Sequence, residues 1–565
     1  MISETIKRQI GEALSKLGLP EVPFVVELAK DMAHGDYASN VALILGKQLG
    51  RPPLEIAQEI VKNLQADAEG YIEMSKTSAV APGFVNFWLS EKFYADTLKE
   101  TFEKKDKFGW GGELRGKKIM VEYTDPNAFK PFHVGHLMSN AIGESVSRLF
   151  EASGATVRRM NYLSDVGLNL AMAVWGMKQM QETLPDEGAS LNDKTQFLGK
   201  AYVFGVAEHG KSDDVKQEVE KINKQIYTKE PGEILDLYQL GRTWSLDHFD
   251  DLYKRLGSHF DYIVPESEVA EAGLEVIREH RALFTDSEGA VVFVGEPFGL
   301  HTRVFINSHG LPTYEAKELG LTKKKLELFA PDTSVVLTGN EQNDYFKVVM
   351  KAIDLCFPEF EGKTKHIGHG MLRFASGKMS SRKGNVITGE ELIAEAIEKS
   401  RGNEVVGMGA IKYSILKQAP GRDIIFDIEK SLSLEGDSGP YIQYAYTRAK
   451  NVLAKVGEAI HDSRFTIHDL NESEGKLMRM IGRLPEIISE AQKNLAPQLV
   501  CTYLIELAGE FHHFYATNRI ADPSSELGAG AVGETRERRL ALTAALAQTI
   551  QNGLWILGIL TVEKM

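Results

Sequence analysis

The chain holds only two cysteines in 565 residues, Cys356 and Cys501, far apart and in unrelated contexts. That scarcity excludes a disulfide framework and the paired spacing of a zinc site, and a reducing cytoplasm is the simplest compartment for it. Long apolar runs are missing too. None approaches the roughly 20 residues of a membrane-spanning helix, so no membrane partner is expected. The opening stretch, Met1–Gly11, mixes charges with Ile2, Ile6 and Ile10, the pattern of an amphipathic helix and not of a secretory signal. Internal repeats and low-complexity tracts are absent. Positive charge is also in short supply: the formal net charge is -14. Alone, that speaks against nucleic acid, which needs clustered Lys and Arg. The deficit is uneven, however. From Pro440 to the C-terminus there are 13 Lys+Arg against 14 Asp+Glu, so the acidity lies in the first 439 residues. A local basic face can still serve a polynucleotide on such a chain.

What is present is a soluble, multidomain composition, with 43% hydrophobic and 25% charged residues in a chain too long for one ordinary core. Residues 1–110 read as a small α/β unit, with helical stretches at Ile2–Leu17 and Leu54–Leu64 and apolar runs at Phe24–Leu28 and Gly83–Leu89. Lys104–Gly112, rich in Lys and Gly, reads as a linker. Lys117–Tyr123 is basic, then apolar, and meets the breaker Asp125-Pro126-Asn127; Leu137–Phe150 then has helical periodicity. Strand, loop, helix is the opening of a nucleotide-binding α/β fold. Residues 181–261 are largely helical and charged, the make-up of an insertion. Strand candidates return at Ala290–Val294, Val304–Ile306 and Ser334–Leu337, and from Tyr441 the chain reads as almost all helix.

Two motifs carry chemistry. The first is Asp125–His136, DPNAFKPFHVGH. Backbone N–H groups at a helix start attract phosphate. The imidazoles of His133 and His136 can donate to phosphate oxygens as charge builds on them. Gly135 lets an adenine ring approach the backbone, and Lys130 adds a positive charge. The second is Gly377–Asn385, GKMSSRKGN, where Lys378, Arg382 and Lys383 lie among Gly and Ser. That is the composition of a basic loop able to close over a triphosphate and stabilise departing pyrophosphate. Either motif alone has a bland explanation, two surface histidines at a helix cap or a solvated loop. A literal copy of the first, His366-Ile367-Gly368-His369, lacks the preceding strand and Pro-Asn loop and is read as part of a strand or turn beside the site.

In this order, about 240 residues apart, the two motifs resemble the paired signatures of class I aminoacyl-tRNA synthetases. VEYTDPNAFKPFHVGHLMSNAIG is similar to the signature of the arginyl group; HGDYASN (His34–Asn40) and PGFVNF (Pro82–Phe87) resemble its N-terminal domain, which touches the tRNA elbow. YIQYAYTRAKNVL (Tyr441–Leu453) and YLIELAGEFHHFY (Tyr503–Tyr515) resemble its helical anticodon-binding domain. The resemblance implies a doubly wound, Rossmann-like parallel sheet in a catalytic domain over 111–439, with an insertion at about 181–261. A small N-terminal α/β domain, 1–110, and an all-helical anticodon-binding domain, 440–565, would flank it. It implies arginine activation by ATP, as its magnesium complex, and transfer to tRNA(Arg) by a monomer, with activation depending on tRNA. No dedicated protein metal site is expected.

The resemblance also implies residue roles. His133, Gly135, His136, Lys378, Met379 and Ser380 would bind ATP, with Lys130, Arg382 and Lys383 joining His133, His136 and Lys378 in catalysis. Asn127 and Gln342 would hold the arginine α-amino group and Tyr314 would line the pocket. Glu122 would supply a carboxylate from the first strand, and Glu266 and Glu318 would receive the guanidinium, whose planar fork suits paired carboxylates. Three positions depart from the common pattern. Glu318 stands where Asp is usual. Ser381 takes the second Lys position of the loop, so that Lys130 would have to compensate. Ser164-Asp165-Val166-Gly167 replaces a frequent GDWG, which leaves Asp165 without an assigned role. A small-molecule nucleotidyltransferase would share the histidine chemistry but has no use for the long helical C-terminus; a synthetase for cysteine is opposed by the missing zinc cysteines.

Overall fold

A computed structural model describes residues 2–29, 32–375, 388–456, 470–522 and 532–565. At its centre, Ile119, Met120 and Val121 are buried on both faces of strand β1 (Lys118–Glu122), the pattern of a parallel strand covered on two sides. Helix α1 (Val134–Ala152) follows, then β2 (Thr156–Leu163), the long insertion helix α2 (Glu233–Leu256), β3 (Tyr262–Pro265) and α3 (Glu266–Glu279). After α4 (Tyr314–Leu328) come β4 (Thr333–Gly339) and β5 (Thr364–His369). The five strands pair in the order β5-β4-β1-β2-β3, all parallel. The order reverses at β1, so the crevice beyond the ends of β1 and β4 is where a doubly wound fold binds ligands.

Of the strand candidates, Ser334–Leu337 lies in β4. Ala290–Phe293 and Arg303–Ile306 instead join Thr285–Ser287 in a separate antiparallel sheet. Short apolar runs mark strands but do not say which sheet they enter. Residues 181–261 contain the helices Leu191–His209, Asp213–Thr228 and α2, which pack with helix Leu168–Gln179 in an apolar cluster around Trp175 and Trp244. The N-terminal segment forms a four-stranded antiparallel sheet with helices, Ile2–Leu17 among them. The stretch read as a linker is pinned: Asn552 Nδ2 donates to the carbonyls of Lys105 and Phe108, and Phe108 is completely buried.

Helix α5 (Glu404–Leu416), α6 (Gly439–Val456) and α7 (Val532–Ile556) share one apolar cluster with the parallel sheet and α1. No described helix is long and apolar enough to cross a membrane.

Polar clamps fix α1 within this core. Buried Glu144 accepts from Tyr123 Oη at 2.7 Å, Arg159 Nε at 2.9 Å and Arg148 Nε at 2.7 Å. Arg148 in turn donates to the carbonyls of Trp555 and Gly257, and Lys412 Nζ donates to those of Leu256 and Gly558, 2.6 Å each. Burial pushes the Glu144 carboxyl up, but Arg148 and Arg159 outweigh it and hold the group at about 2. A depressed carboxylate contributes its stability in full above the ordinary value of 4.5 and loses it as the pH falls toward 2. Glu144→Gln leaves Arg148 without a carboxylate and Arg159 with Glu151 alone, and is expected to cost about 3 kcal/mol, read as a shift of the denaturant midpoint at pH 7. A variant as stable as the parent there would show that the clamp is dispensable.

Candidate active site

The loop after β1 is built against backbone preference. Thr124, Asp125 and Phe129 all have positive φ, at 79°, 45° and 65°, conformations that cost a non-glycine residue energy and persist only when surroundings over-determine them. The anchors are present. The Thr124 N–H donates to Ser139 Oγ, Asp125 accepts from the Tyr162 N–H, and the Phe129 N–H donates to Ser245 Oγ of α2. Neighbouring strand β2 takes up the rest, with Ser164 N–H to Pro126 O and Ala128 N–H to Ser164 O. The result delivers Asn127, Lys130 and the two histidines to the sheet's ligand-binding edge.

His133 and His136 form a reciprocal cap. The His136 N–H donates to His133 Nδ1 at 3.3 Å and the His133 N–H to His136 Nδ1 at 3.2 Å, the geometry of a capping box. Their rings stack with centroids 3.4 Å apart. Since each Nδ1 accepts, each neutral ring carries its proton on Nε2, leaving two N–H donors on the nitrogens opposite the cap. Burial, with Lys130 adding repulsion, lowers His133 to about 4; burial, then His133, lowers His136 further below its ordinary value. Both are therefore neutral near pH 7. Gly135 serves this arrangement directly, because a Cβ there would stand 2.9 Å from the His133 ring.

Lys130 donates to Asn127 Oδ1 at 3.2 Å and lies over the Tyr202 ring. His369 ends strand β5, so the literal copy of the motif is strand and not helix start. It lies close enough to the capping histidines to lower both, in keeping with its reading as a strand beside the site. Lys378, Met379, Ser380, Ser381, Arg382 and Lys383 lie outside the described residues.

Beside the cap opens a cavity of about 520 Å³, lined by Glu122, Asn127, Glu266, Tyr314, Glu318 and Gln342. All six residues proposed for the amino acid thus meet, from β1, its loop, the starts of α3 and α4, and the segment after β4. Two lysines not read from the sequence hold two of the three carboxylates proposed for the amino acid. Lys325 Nζ lies 2.5 Å from Glu122, and Lys317 Nζ lies 2.9 Å from Glu266, every partner being buried. Glu318 has no ion pair among the described residues, and burial, then repulsion from Glu122, pushes it up to about 8. Six carboxylates line the cavity in all: Arg303 at the rim pairs with Glu315, while Asp125, Glu318 and Glu341 have no ion pair among the described residues. Its excess of carboxylate suits a positively charged ligand. A larger cleft of about 1600 Å³ between the N-terminal segment and the helical bundle has none of these residues.

The family model described as "tRNA synthetases class I (R), catalytic domain" matches residues 100–405, more than half of the chain. Those for "Arginyl tRNA synthetase N terminal domain" and "DALR anticodon binding domain" match 4–89 and 442–565. An arginine–tRNA ligase of Clostridium acetobutylicum is 30% identical over 99% of this chain and all of the relative. One of Clostridium perfringens is 29% identical over 100% of this chain and 99% of the relative. Among solved structures, the fold is shared with the Thermus thermophilus arginyl-tRNA synthetase, at a TM-score of 0.82 and 24% identity over the whole of both chains. It is shared also with that of Plasmodium falciparum, at 0.77 and 20% over 100% of this chain and 99% of the other. By its three matched segments, its full-length relatives and its sheet order, this chain belongs to the class I arginyl-tRNA synthetase family.

Proposed function

We propose that this chain activates L-arginine with ATP and transfers it to the 3′-terminal adenosine of tRNA(Arg). The observation that carries the reading is the adjacency of two neutral imidazoles at the start of α1 and a cavity whose carboxylates outnumber the cations paired with them. ATP enters as its magnesium complex. His133 and His136 offer their Nε2–H groups to the phosphates, and Lys130 brings positive charge. Lys378, Arg382 and Lys383, with Met379 and Ser380 beside them, complete the triphosphate site in this reading. Glu266 and Glu318 take the guanidinium, Glu122 adds to the field, Tyr314 lines the pocket, and Asn127 and Gln342 hold the α-amino group. The arginine carboxylate then attacks the α-phosphate; the bond to the β-phosphate breaks and pyrophosphate departs. In the second step a ribose hydroxyl of the tRNA attacks the adenylate carbonyl and AMP leaves. Positioning and fixed dipoles supply the rate, with no covalent enzyme intermediate.

His136→Ala removes a donor and half of the cap. It is expected to slow pyrophosphate exchange on the order of 100- to 1000-fold, while His369→Ala, outside the cap, stays within about tenfold of the parent. The opposite ranking in purified, folded variants would move the nucleotide site.

The pH dependence follows from the same geometry. With His133 near 4, exchange at saturating arginine, which holds Glu318 ionised, should pass through the ordinary imidazole range unaltered and fall only as the pH drops toward 4, where a proton on the capping nitrogens breaks the cap. A rate that titrates near 6.5 would contradict the tautomer assignment.

Dependence on tRNA is part of the proposal. The signature helix touches the bundle through Arg148 and the Trp555 carbonyl, so a ligand held by the bundle can bias α1 to the extent that it binds one arrangement better. Arginine-dependent exchange is expected to be negligible until tRNA(Arg) is added. Equal rates with and without it would leave the bundle a role in affinity alone.

A further inference from the structure

Helix α3 starts with Glu266, the proposed guanidinium acceptor, directly after Pro265. A proline at the N-cap has no side-chain acceptor, and none is used here. The first N–H groups of a helix need partners from elsewhere. One comes from strand β2's end: Asp165 accepts from the Ser267 N–H at 3.0 Å and from Ser267 Oγ at 2.8 Å. Asp165 is completely buried and has two further partners, both on insertion helix α2. Arg242 Nε donates to it at 3.0 Å and Tyr238 Oη at 3.2 Å. A buried carboxylate beside Glu266 would by itself discourage ionisation there; Arg242 offsets that charge. Four hydrogen bonds from two helices, α2 and α3, thus converge on one side chain, next in sequence to Ser164, which lines the pocket.

We infer that Asp165 is a positioning residue: it is the cap by which insertion helix α2, through Arg242 and Tyr238, sets where Glu266 meets the arginine side chain. The inference rests on the reading of the cavity as the arginine pocket. Arg242, partly exposed, is the outer end of this relay, and the cavity of about 490 Å³ that it lines with Tyr227, Tyr238 and Ser267 keeps it reachable from outside. The insertion is therefore connected to amino-acid recognition and not only to the fold.

The experiment measures pyrophosphate exchange with tRNA(Arg) present, varying arginine and ATP separately, for Asp165→Asn, Arg242→Gln and the double variant. Misplacing one acceptor by a fraction of an ångström should raise the arginine KM about 30-fold in Asp165→Asn and about fivefold in Arg242→Gln, with kcat and the ATP KM within about threefold of the parent. Because both residues act through one path, the double variant should be no worse than Asp165→Asn alone. A merely structural role would lower the melting temperature and leave the arginine KM unchanged, which overturns the inference. An ATP KM rising in step, or effects that multiply in the double variant, overturn it too. Should Asp165→Asn not fold, Arg242→Gln decides by the same split, since its side chain is partly solvated. If the parent shows no arginine-dependent exchange, the pocket reading fails instead; if it does and the variants match it, only the relay fails.

Discussion

The site depends on where one helix begins and how firmly it is held. Helix α1 carries the capping histidines at its first turn and Glu144 in its third, where Tyr123, Arg148 and Arg159 close on a single buried carboxylate. Burying that charge is costly unless every lone pair is used, and here several donors share it. The return is orientation: the clamp joins α1 to β2 through Arg159 and to the end of α7 through Arg148. The strained loop before the cap can persist because its ends, β1 and α1, are fixed by the sheet and by this clamp.

Electrostatics divides the site into two halves. Around the histidines, burial and Lys130 keep the rings neutral, each with its proton on the nitrogen opposite the cap. In the adjoining pocket, lysines from α4 hold Glu122 and Glu266, while Glu318 has no ion pair among the described residues. An empty pocket with Glu318 protonated avoids an unpaired buried charge; a cation beside it would favour its ionised form. Adding a methylene at 318 relative to the family's usual Asp does not remove that carboxylate from the cavity, since Glu318 lines it.

Much of the architecture was legible because it is local. The β1 apolar run, the Pro-Asn break and the helical period after it are all contained in about thirty residues, and Ile2–Leu17 forms the helix its spacing announced. The copy at His366–His369 was distinguishable from the motif at the helix start by its missing strand and loop. Less legible were Lys317, Lys325, Asp165 and Arg242. A lysine on a charged helix reads as solvated until its partner is known, and Lys317 meets Glu266 across 51 positions of chain, Ser267 meets Asp165 across 102. The antiparallel sheet from Thr285 to Ile306 was likewise ambiguous, since apolar alternation is the same for any sheet.

The amino-acid sequence by itself determined the chemistry on offer: paired imidazoles after a breaker, three carboxylates at separated positions, two cysteines with nothing to bind. It determined the order of elements as well, because hydrophobic period and turn residues act over a few residues. Tertiary structure alone decided which carboxylates are paired and which are not, which ring nitrogen carries the proton, and that an aspartate from the loop after β2 caps the helix bearing Glu266. Those are properties of fields and hydrogen bonds, which fall off with distance in space and take no account of distance along the chain.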